Sequence, residues 1–432
     1  MRRVVVFYNI LQGLGLIVVA PLLFVKSILT PRHRGRIGLR LGIGLAKELA
    51  GLPPGRPRLW IHALSVGEVA SARALVLGLR ERYPAATLIL SVTTRSGLIY
   101  ARETLGNTVD RVIPFPYDFY WSVRRALGLV RPDLFILVET DFWPNFLGQL
   151  ANRHIPALLV NGRISAAAFR NYQRFRFLFA PLFNSFRLLS MQTEADAEQM
   201  RQLGVASQRL EVLGNLKYAV LPASVPEPEL RRRFALPAAK RVWVAGSTHS
   251  GEEAILFQVF ARLVARFPDL FLILAPRDVT RTTALLEVAH SLGLKAGLRS
   301  APPLPGLNLL LVDTLGELAA LYALAEVAFV GGSLVEERGH NPLEPAALAK
   351  PVLFGPHMED FAEISQDLLA CGAAVMVEGE AALADQLAAW LADPARARAA
   401  GEQGRALIAG RQQGLVARYL AAVTSLLPQE GF

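Results

Sequence analysis

The stretch Phe329–Ala347, FVGGSLVEERGHNPLEPAA, decides the fold class. An apolar run ends in Gly-Gly-Ser, a polar loop follows, and Pro342 and Pro345 predict that a helix begins there. Backbone N–H groups, Asn341 and Glu344 are therefore expected where a strand gives way to a helix. Nucleotide phosphates and riboses are usually held at that place in open α/β sheets. The stretch predicts an α/β domain that binds a nucleotide-linked ligand.

Short apolar runs alternate with longer helical patterns on both sides of this stretch. The predicted strands are Leu59–His62, Thr87–Val92, Leu134–Val138, Ala157–Val160, Leu188–Met191, Val242–Ala245, Phe271–Ala275, Asn308–Val312, Val327–Val330 and Val352–Phe354. The predicted helices are Val69–Tyr83, Ser96–Leu105, Glu194–Leu203, Glu252–Arg266, Thr280–Leu292 and Glu359–Ala370, with a helical tail over 381–427. This alternation predicts parallel βαβ units with helices on both faces of each sheet.

A segment rich in proline and small residues, 220–228, predicts a boundary between two such halves. We therefore expect an α/β architecture of two Rossmann-like, doubly wound domains. The predicted parts are a membrane anchor over 1–30, a first domain over 31–220, and a second domain over 221–432 that ends in helices. Open parallel sheets bind ligands at the carboxyl ends of their strands, so the site is expected in a cleft between the two domains.

The composition is apolar and basic. Of the 432 residues, 52% are hydrophobic, and the formal net charge is +10; the mean hydropathy is +0.33. A basic chain favours polyanions, but no basic run with interleaved aromatic residues is present, so a membrane surface or a phosphorylated substrate is favoured over nucleic acid. The single cysteine, Cys371, excludes an internal disulfide and a cysteine metal cluster.

The amino terminus carries an uncharged, mostly apolar stretch, Val4–Val25. About 20 apolar residues suffice for a helix to span a bilayer, so the stretch predicts a signal anchor. Basic residues are more numerous after the stretch, over 26–40, than before it, which predicts that the body of the protein is cytoplasmic. A hydrophobic helix that lies on the membrane, or packs on the body, is the alternative interpretation.

Polar side chains follow the predicted strands of the first half. Glu68 is placed at the opening of a helix, where a carboxylate could accept a proton from a hydroxyl or simply favour the helix dipole. Glu139 and Asp141 end another strand as candidate functional carboxylates; the alternative is an ordinary helix cap at Thr140 or Asp141. Lys217 could stabilise charge on a leaving phosphate, or it could be an ordinary surface lysine.

The second half repeats this pattern. Arg277 follows a strand and suits a phosphate or carboxylate. Gly316 and Glu317 open a helix whose N–H groups can hold a phosphate, and Glu344 is placed for two adjacent ribose hydroxyls. Each of these residues could also be an ordinary helix cap. Because such residues recur at successive strand ends, ligand binding is favoured. The chain has no phosphate-loop, dinucleotide or nucleophile-elbow motif and no obvious Asp-x-Asp pair, so we expect no metal and no cofactor.

Together these motifs resemble the 3-deoxy-D-manno-octulosonic acid (Kdo) transferases, in order and over nearly the whole chain. The segments that carry the resemblance are Ser65–Val69, Glu139–Asn145, Gly214–Lys217, Ser247–Glu253, Ala275–Arg277, Asp313–Leu318 and the opening stretch. The departures from the family pattern are modest: Leu315 stands where Met is expected, Asp278 where His is expected, Asp141-Phe142 where Glu or Leu is expected, and Gly162 where Ala is commoner.

The resemblance implies a GT-B glycosyltransferase that moves Kdo from CMP-Kdo to lipid IVA, with inversion at the anomeric carbon and no metal. It implies that Glu68 is the general base and that Glu139 and Lys217 support the transition state. The residues implied to contact CMP are Pro276, Arg277, Leu315, Gly316, Glu317, Asn341, Pro342, Leu343 and Glu344. The implied location is the cytoplasmic side of a bacterial inner membrane, with an anionic lipid surface as partner.

Two other functions stay open at this point. One is another membrane-associated GT-B transferase with a UDP-sugar donor, which the choice of nucleotide would distinguish. The other is a tethered nucleotide-binding scaffold without catalysis, which would bind nucleotide but would not need Glu68.

Overall fold

The computed structural model describes residues 4–15, 34–139, 142–219, 226–236, 240–302 and 306–427. The chain divides into two compact units. The first comprises Met1–Ala219 and Gly414–Phe432, and the second comprises Val220–Gln413. Each unit is built on its own parallel sheet, with helices between the strands.

The first unit contains a seven-stranded sheet in the order β3-β2-β1-β4-β5-β6-β7. Its strands are β1 Arg58–Ala63, β2 Thr87–Val92, β3 Arg111–Pro114, β4 Leu134–Val138, β5 Ala157–Gly162, β6 Leu188–Met191 and β7 Leu210–Val212. Its helices are α1 over 4–15, α2 Arg34–Arg40, α3 Leu45–Glu48, α4 Val66–Arg82, α5 Arg95–Leu105, α6 Tyr120–Val130, α7 Pro144–Asn152, α8 Ala166–Arg174, α9 Arg176–Phe183 and α10 Glu194–Gln202. The strand order places β1, β4 and β5 side by side at the centre, so the loops after these strands share one edge.

An aromatic cluster holds one face of this sheet. Trp60 of β1 meets Phe135 of β4 edge-on at 5.9 Å and Phe146 of α7 at 5.1 Å, and all three are fully buried. Such pairs add about 0.5–1.5 kcal/mol each beyond the area they bury. The cluster fixes α7 against the centre of the sheet, close to where β4 ends.

The second unit has a seven-stranded sheet in the order β10-β11-β9-β8-β12-β13-β14. Its strands are β8 Arg241–Thr248, β9 Leu270–Pro276, β10 Ala296–Leu298, β11 Leu309–Leu311, β12 Val327–Val330, β13 Val352–Phe354 and β14 Ala374–Met376. Its helices are α11 Glu227–Arg233, α12 Glu252–Arg266, α13 Thr282–Ser291, α14 Leu318–Tyr322, α15 Leu343–Ala347, α16 Ala362–Ala370, α17 Gly379–Ala392 and α18 Pro394–Gln412.

Alternate residues of β8 enter two different cores of this unit. Trp243 and Ala245 pack in a cluster with α12 and α17, whereas Val242 and Val244 pack in another with α11 and α14. Side chains of a strand alternate between the faces of its sheet, so both faces of this sheet are covered. The predicted pair of doubly wound α/β domains is therefore confirmed.

The last helix, α19 Leu415–Leu426, belongs to the first unit and not to the second domain in which the sequence analysis placed it. It packs on α4. Its Tyr419 is fully buried and its hydroxyl donates to the Gly214 carbonyl oxygen at 2.7 Å. Residues 414–427 thus complete the first unit, although α18 just before them belongs to the second.

The amino-terminal stretch is described only over 4–15, and the rest of the predicted span, 16–25, lies outside the described residues. Among the helices that the structure describes, none combines the length and the apolarity that crossing a membrane requires. The membrane anchor predicted from sequence is therefore not shown.

Instead, α1 packs on the first unit through its polar side. The Asn9 and Asn145 side-chain amides donate to each other's oxygens at 2.7 and 2.9 Å. Gln12 Nε2 donates to the Asp118 carbonyl oxygen at 3.2 Å, and the Tyr8 hydroxyl bonds the Asp118 carboxyl. The apolar side chains on its other side, Val6, Phe7, Ile10, Leu11 and Leu14, are exposed.

Candidate active site

Glu139, one residue past β4, lies at the centre of the first unit's polar edge. Its side chain is buried and its backbone φ is 63°, a left-handed conformation that is uncommon outside glycine. Oε1 accepts from the Asn161 amide at 3.3 Å and lies 3.2 Å from the Ser71 hydroxyl, while Oε2 lies 3.5 Å from Arg163 Nε. Strained buried residues of this type concentrate at functional sites, where the surroundings hold them.

Glu68 lies in the first turn of α4, after β1. Ser65 caps this helix, and Glu68 Oε2 accepts the backbone N–H of Leu64 at 2.5 Å, so the carboxylate contributes to the helix opening. The single Ser71 hydroxyl proton has three acceptors within reach: the carbonyl oxygens of Gly67 and Glu68 and the carboxylate of Glu139. Ser71, one turn after Glu68 on α4, therefore links this helix to the Glu139 carboxylate. We call Glu68, Ser71, Glu139, Asn161 and Arg163 the carboxylate cluster.

Lys217 lies in a single 3₁₀ turn, Leu216–Tyr218. The Asn215 side chain accepts the Lys217 backbone N–H at 3.0 Å and so caps this turn. The preceding N–H, that of Leu216, donates to Asn161 Oδ1 at 2.8 Å. The turn is thereby tied to the same asparagine that contacts Glu139.

Sequence reasoning proposed Glu68, Glu139 and Lys217 as site residues but assigned no role to Ser71, Asn161 or Tyr419. Asn161 was visible only as a polar residue at a strand end, and Ser71 as one position in a helix. Tyr419, which donates to Gly214 and accepts the Asn161 N–H, carried no local signal, because its partners are more than 200 residues away.

In the second unit, the Gly-Gly-Ser segment does not present its N–H groups to a ligand as predicted. The Glu252 carboxylate accepts the backbone N–H groups of Gly332, Ser333 and Leu334 at 2.7, 2.9 and 2.9 Å. Glu252 is fully buried in the first turn of α12. The anion-binding feature inferred from the sequence exists, but a side chain of the same unit fills it.

Asn341 and Glu344 lie together at the start of α15. Asn341 Oδ1 accepts the Leu343 N–H at 3.1 Å, and its amide donates to Glu344 Oε1 at 3.3 Å. Burial raises the pKa of Glu344, and the Asn341 hydrogen bond lowers it in part. Burial, and then the charge of Glu344, hold the pKa of Tyr322 well above its ordinary value. A side chain at Gly246 would collide with the Tyr322 hydroxyl, so Glu344, Tyr322 and the end of β8 converge.

Two histidines link Arg277 to this region. The Arg277 N–H donates to the Thr248 carbonyl oxygen at 2.9 Å, and the next residue, His249, forms an Nε2–Nε2 hydrogen bond of 2.8 Å with His340. Burial lowers the pKa of His340 to about 4, and the positive charges of His249 and Arg277 act in the same direction. Arg277 itself is exposed, directly after Pro276 at the end of β9.

The Leu315–Glu317 segment presents little side-chain chemistry to solvent. Leu315 is 80% exposed and Gly316 has a φ of 80°. The Glu317 carboxylate is ion-paired with Arg233 and Arg299 and bonded by Thr314. Burial opposes its ionisation, but the Thr314 hydroxyl and the two arginines outweigh that effect and lower its pKa. What this segment offers a ligand is its backbone and an apolar side chain.

The chain is similar to one well-defined group of enzymes. A family model described as 3-deoxy-D-manno-octulosonic-acid transferase (Kdo transferase) matches residues 36–220. A 3-deoxy-D-manno-octulosonic acid transferase of Haemophilus influenzae is 33% identical over 349 residues, which are 79% of this chain and 80% of the relative. The transferase of that name from Bordetella pertussis is 32% identical over 417 residues, 93% of this chain and 92% of the relative.

Solved structures with little sequence similarity share the fold. A UDP-GlcNAc 2-epimerase from Neisseria meningitidis matches with a TM-score of 0.59 at 11% identity, over 85% of this chain and all of its own. A glycosyltransferase from Rickettsia africae matches with a TM-score of 0.57 at 12% identity, over 86% of this chain and 99% of its own. The two parallel-sheet α/β units are therefore like those of GT-B glycosyltransferases.

Proposed function

The chain belongs to the 3-deoxy-D-manno-octulosonic acid (Kdo) transferase family, and we propose that it transfers Kdo from CMP-Kdo to lipid IVA in lipopolysaccharide synthesis. The observation that carries this proposal is the carboxylate cluster. Two buried glutamates, Glu68 and Glu139, follow the neighbouring strands β1 and β4, and Ser71, one turn after Glu68 on α4, lies 3.2 Å from the Glu139 carboxylate. Buried carboxylates are costly to maintain, and those at the ends of parallel strands are candidates for acid–base chemistry.

In the proposed reaction, Glu68 is the general base. It takes the proton of an acceptor hydroxyl as the hydroxyl oxygen bonds to the anomeric carbon of Kdo. The bond from that carbon to the CMP phosphate oxygen breaks, the electron pair stays with CMP, and attack from the opposite face inverts the configuration. The Leu64 N–H fixes one oxygen of the Glu68 carboxylate, which supports a defined orientation for proton transfer.

Glu139 and Lys217 support the charges that develop in this transition state. The sugar ring becomes positive as the bond to phosphate lengthens, and the Glu139 carboxylate, fixed by Ser71, Asn161 and Arg163, suits that charge. The phosphate becomes more negative, and the Lys217 ammonium suits it.

The second unit is proposed to hold the cytidine nucleotide. Arg277 offers an exposed guanidinium for the phosphate. Asn341 and Glu344 at the start of α15 offer acceptors and a donor for the ribose, with Pro342 and Leu343 between them. Pro276, Leu315, Gly316 and Glu317 contribute mainly backbone and apolar contact, because the Glu317 carboxylate is already paired.

The protein is proposed to act at an anionic membrane surface, on the cytoplasmic side of the inner membrane. Exposed apolar side chains along α1 support this placement. A helix with one polar and one apolar side binds in the plane of a membrane interface. At that surface the protein would encounter its acceptor, membrane-bound lipid IVA.

The test is to incubate the purified full-length chain with lipid IVA and a CMP-Kdo generating system and to measure the product mass. We expect a mass increase by Kdo, with no transfer from UDP-sugars. Glu68→Gln should lower turnover about 10²–10⁴-fold while CMP affinity is kept, because a general base contributes that factor. Glu81→Gln, an exposed glutamate on the same helix, is the matched control and should retain wild-type turnover. Near wild-type turnover of Glu68→Gln would refute the assignment of the base.

A further inference from the structure

Asn161 is held in an unusual position at the end of β5. It is fully buried, and its backbone φ is 57°. Asparagine tolerates this left-handed region better than most residues, but the conformation is still uncommon within a strand. The pairing of β5 with β6 shifts register between Leu159 and Gly162, across this residue. The backbone therefore departs from regular strand geometry at Asn161.

Each polar group of Asn161 bonds to a different element. Its N–H donates to the Tyr419 hydroxyl of α19 at 3.2 Å, and its carbonyl oxygen accepts from Gln192 Nε2, after β6, at 2.9 Å. Its side-chain amide donates to Glu139 Oε1 at 3.3 Å, and its side-chain oxygen accepts the Leu216 N–H at 2.8 Å. One residue thus connects the ends of three strands, the Lys217 turn and the last helix.

Gln192 and Tyr419, which both bond the Asn161 backbone, also hold the residues just before Lys217. Gln192 Oε1 accepts from the Asn215 amide at 3.0 Å, and the Tyr419 hydroxyl donates to the Gly214 carbonyl oxygen at 2.7 Å. Asn215, Gln192 and Tyr419 are all buried. Buried polar networks are costly unless every member is satisfied, and when satisfied they impose one arrangement.

We propose that Asn161 is a positioning residue for the transfer reaction, which sets the Glu139 carboxylate relative to the Lys217 turn, and that Tyr419 locks it in place. This inference rests on the proposed function, because it gives Asn161 a role through Glu139 and Lys217. A side chain needed only for packing would not require separate bonds to both of these sites.

The first variant is Asn161→Gly, which removes the side chain but tolerates the positive φ. We expect kcat to fall about a hundredfold, as misplacement of a catalytic group by roughly 1 Å can do, while KM for CMP-Kdo changes less than threefold. Unchanged kcat with a lower melting temperature would show a purely structural role and overturn the proposal.

Asn161→Asp gives a second readout that does not depend on stability. It places a carboxylate against Glu139 Oε1, and two adjacent carboxylates cannot both ionise without one pKa rising strongly. We expect kcat to be low at pH 8 and to recover as the pH falls and the pair takes up a shared proton. A pH profile of the same shape as that of the wild type would contradict the proposal.

Tyr419→Phe and Tyr83→Phe form a matched pair of variants that tests whether Tyr419 holds Asn161 in place. Both remove a hydroxyl that ties α19 to the rest of the first unit, since Tyr83 bonds Thr424 at 2.5 Å. Only Tyr419 contacts Asn161, so only Tyr419→Phe should lower kcat. Equal effects of the two substitutions would contradict a specific lock.

Hydrogen exchange separates this inference from the proposed function. If the wild type fails to transfer Kdo, the proposed function is wrong, and the Leu216 amide then still shows whether Asn161 holds the Lys217 turn. Loss of its protection in Asn161→Gly, with the β1 and β4 amides unchanged, would support the role. Unchanged protection at Leu216 would overturn it.

Discussion

The Glu252 carboxylate lies 2.7 Å from the backbone nitrogen of Gly332 and also accepts the N–H groups of Ser333 and Leu334. Its Oε2 accepts the N–H of His249 as well, at 2.9 Å. Four backbone donors from two loops therefore converge on one buried carboxylate. Gly332 has a φ of 67°, the conformation that lets successive N–H groups point to one anion. Glu252 thus joins the loop after β8 to the loop after β12.

Glu252→Gln should destabilise the second unit by about 3 kcal/mol. The amide keeps one acceptor oxygen but turns an NH₂ group toward a backbone N–H, which leaves buried donors without a partner. The affinity for CMP should fall together with the stability, because the loop whose N–H groups Glu252 accepts, 332–334, leads into Asn341. Urea unfolding and CMP titration measure both effects, and Glu287→Gln, an exposed glutamate of α13, should change neither. Wild-type stability of Glu252→Gln would show that the carboxylate is dispensable.

This relationship explains where inference from sequence stops. The pattern of Gly331, Gly332 and Ser333 correctly predicted N–H groups collected at a strand end. The anion that meets them, Glu252, lies 80 positions earlier, and no local pattern links the two. Likewise, Glu68 and Glu139 could be placed at strand ends from sequence, whereas the Asn161–Tyr419 contact could not.

His340 should make the stability of the protein depend on pH. The folded chain keeps this imidazole neutral down to about pH 4, whereas in the unfolded chain it takes up a proton near pH 6.5. The stabilisation that the neutral His340 ring gives the folded chain is therefore complete above about pH 6.5 and is lost as the pH falls toward 4. The expected loss is about 2 kcal/mol, below the full value of the shift because the ring is partly exposed. Unfolding free energies at pH 7.5 and 5.0 should show it.

His340→Gln should abolish most of that pH dependence, because glutamine does not titrate. His290→Gln, at an exposed position of α13 in the same unit, should leave it intact. A pH dependence that survives in His340→Gln would assign the effect to another group.

The strands that sequence predicted and those it missed differ in their place in the sheets. All ten predicted strands are interior, and the four missed, β3, β7, β10 and β14, are the outer strands of the two sheets that the structure describes. Interior parallel strands are buried on both faces and form continuous apolar runs. β7 and β14 are only three residues long, and most of their residues are partly or fully exposed.

Exposed apolar residues on α1 should bind lipid. The Phe7 and Leu11 side chains are 46% and 52% exposed, so polar replacements cost little stability. Phe7→Ser combined with Leu11→Ser should weaken binding to anionic vesicles about thirtyfold, since partial burial of each side chain is worth about 1 kcal/mol. Vesicle co-sedimentation measures this. Trp121→Ser, at an exposed aromatic of α6, tests whether binding extends beyond α1. Unchanged binding of the double variant would exclude α1 as the lipid contact.

Gly78 of α4 should be required for α19 to pack closely against α4. A Cβ at Gly78 would lie 3.0 Å from Val416 Cγ1 and 3.2 Å from Leu420 Cδ1, so the two helices touch across a glycine. Gly78→Leu should destabilise the first unit by about 1–3 kcal/mol, because overpacking outweighs the gain in helix propensity. Tyr419 lies one turn along the same helix as Val416, so displacement of α19 should also lower kcat.

Gly128→Leu is the matched control for that substitution. Gly128 lies in α6, and a Cβ there would meet nothing within 4 Å. The same change should therefore keep or slightly raise stability, by up to about 1 kcal/mol, through helix propensity alone. Thermal unfolding and the transfer assay on the two variants decide the matter. If Gly78→Leu is as stable and as active as Gly128→Leu, then α19 does not need its close contact with α4. The hydrogen bonds by which Tyr419 holds Asn161 then cannot depend on that contact either.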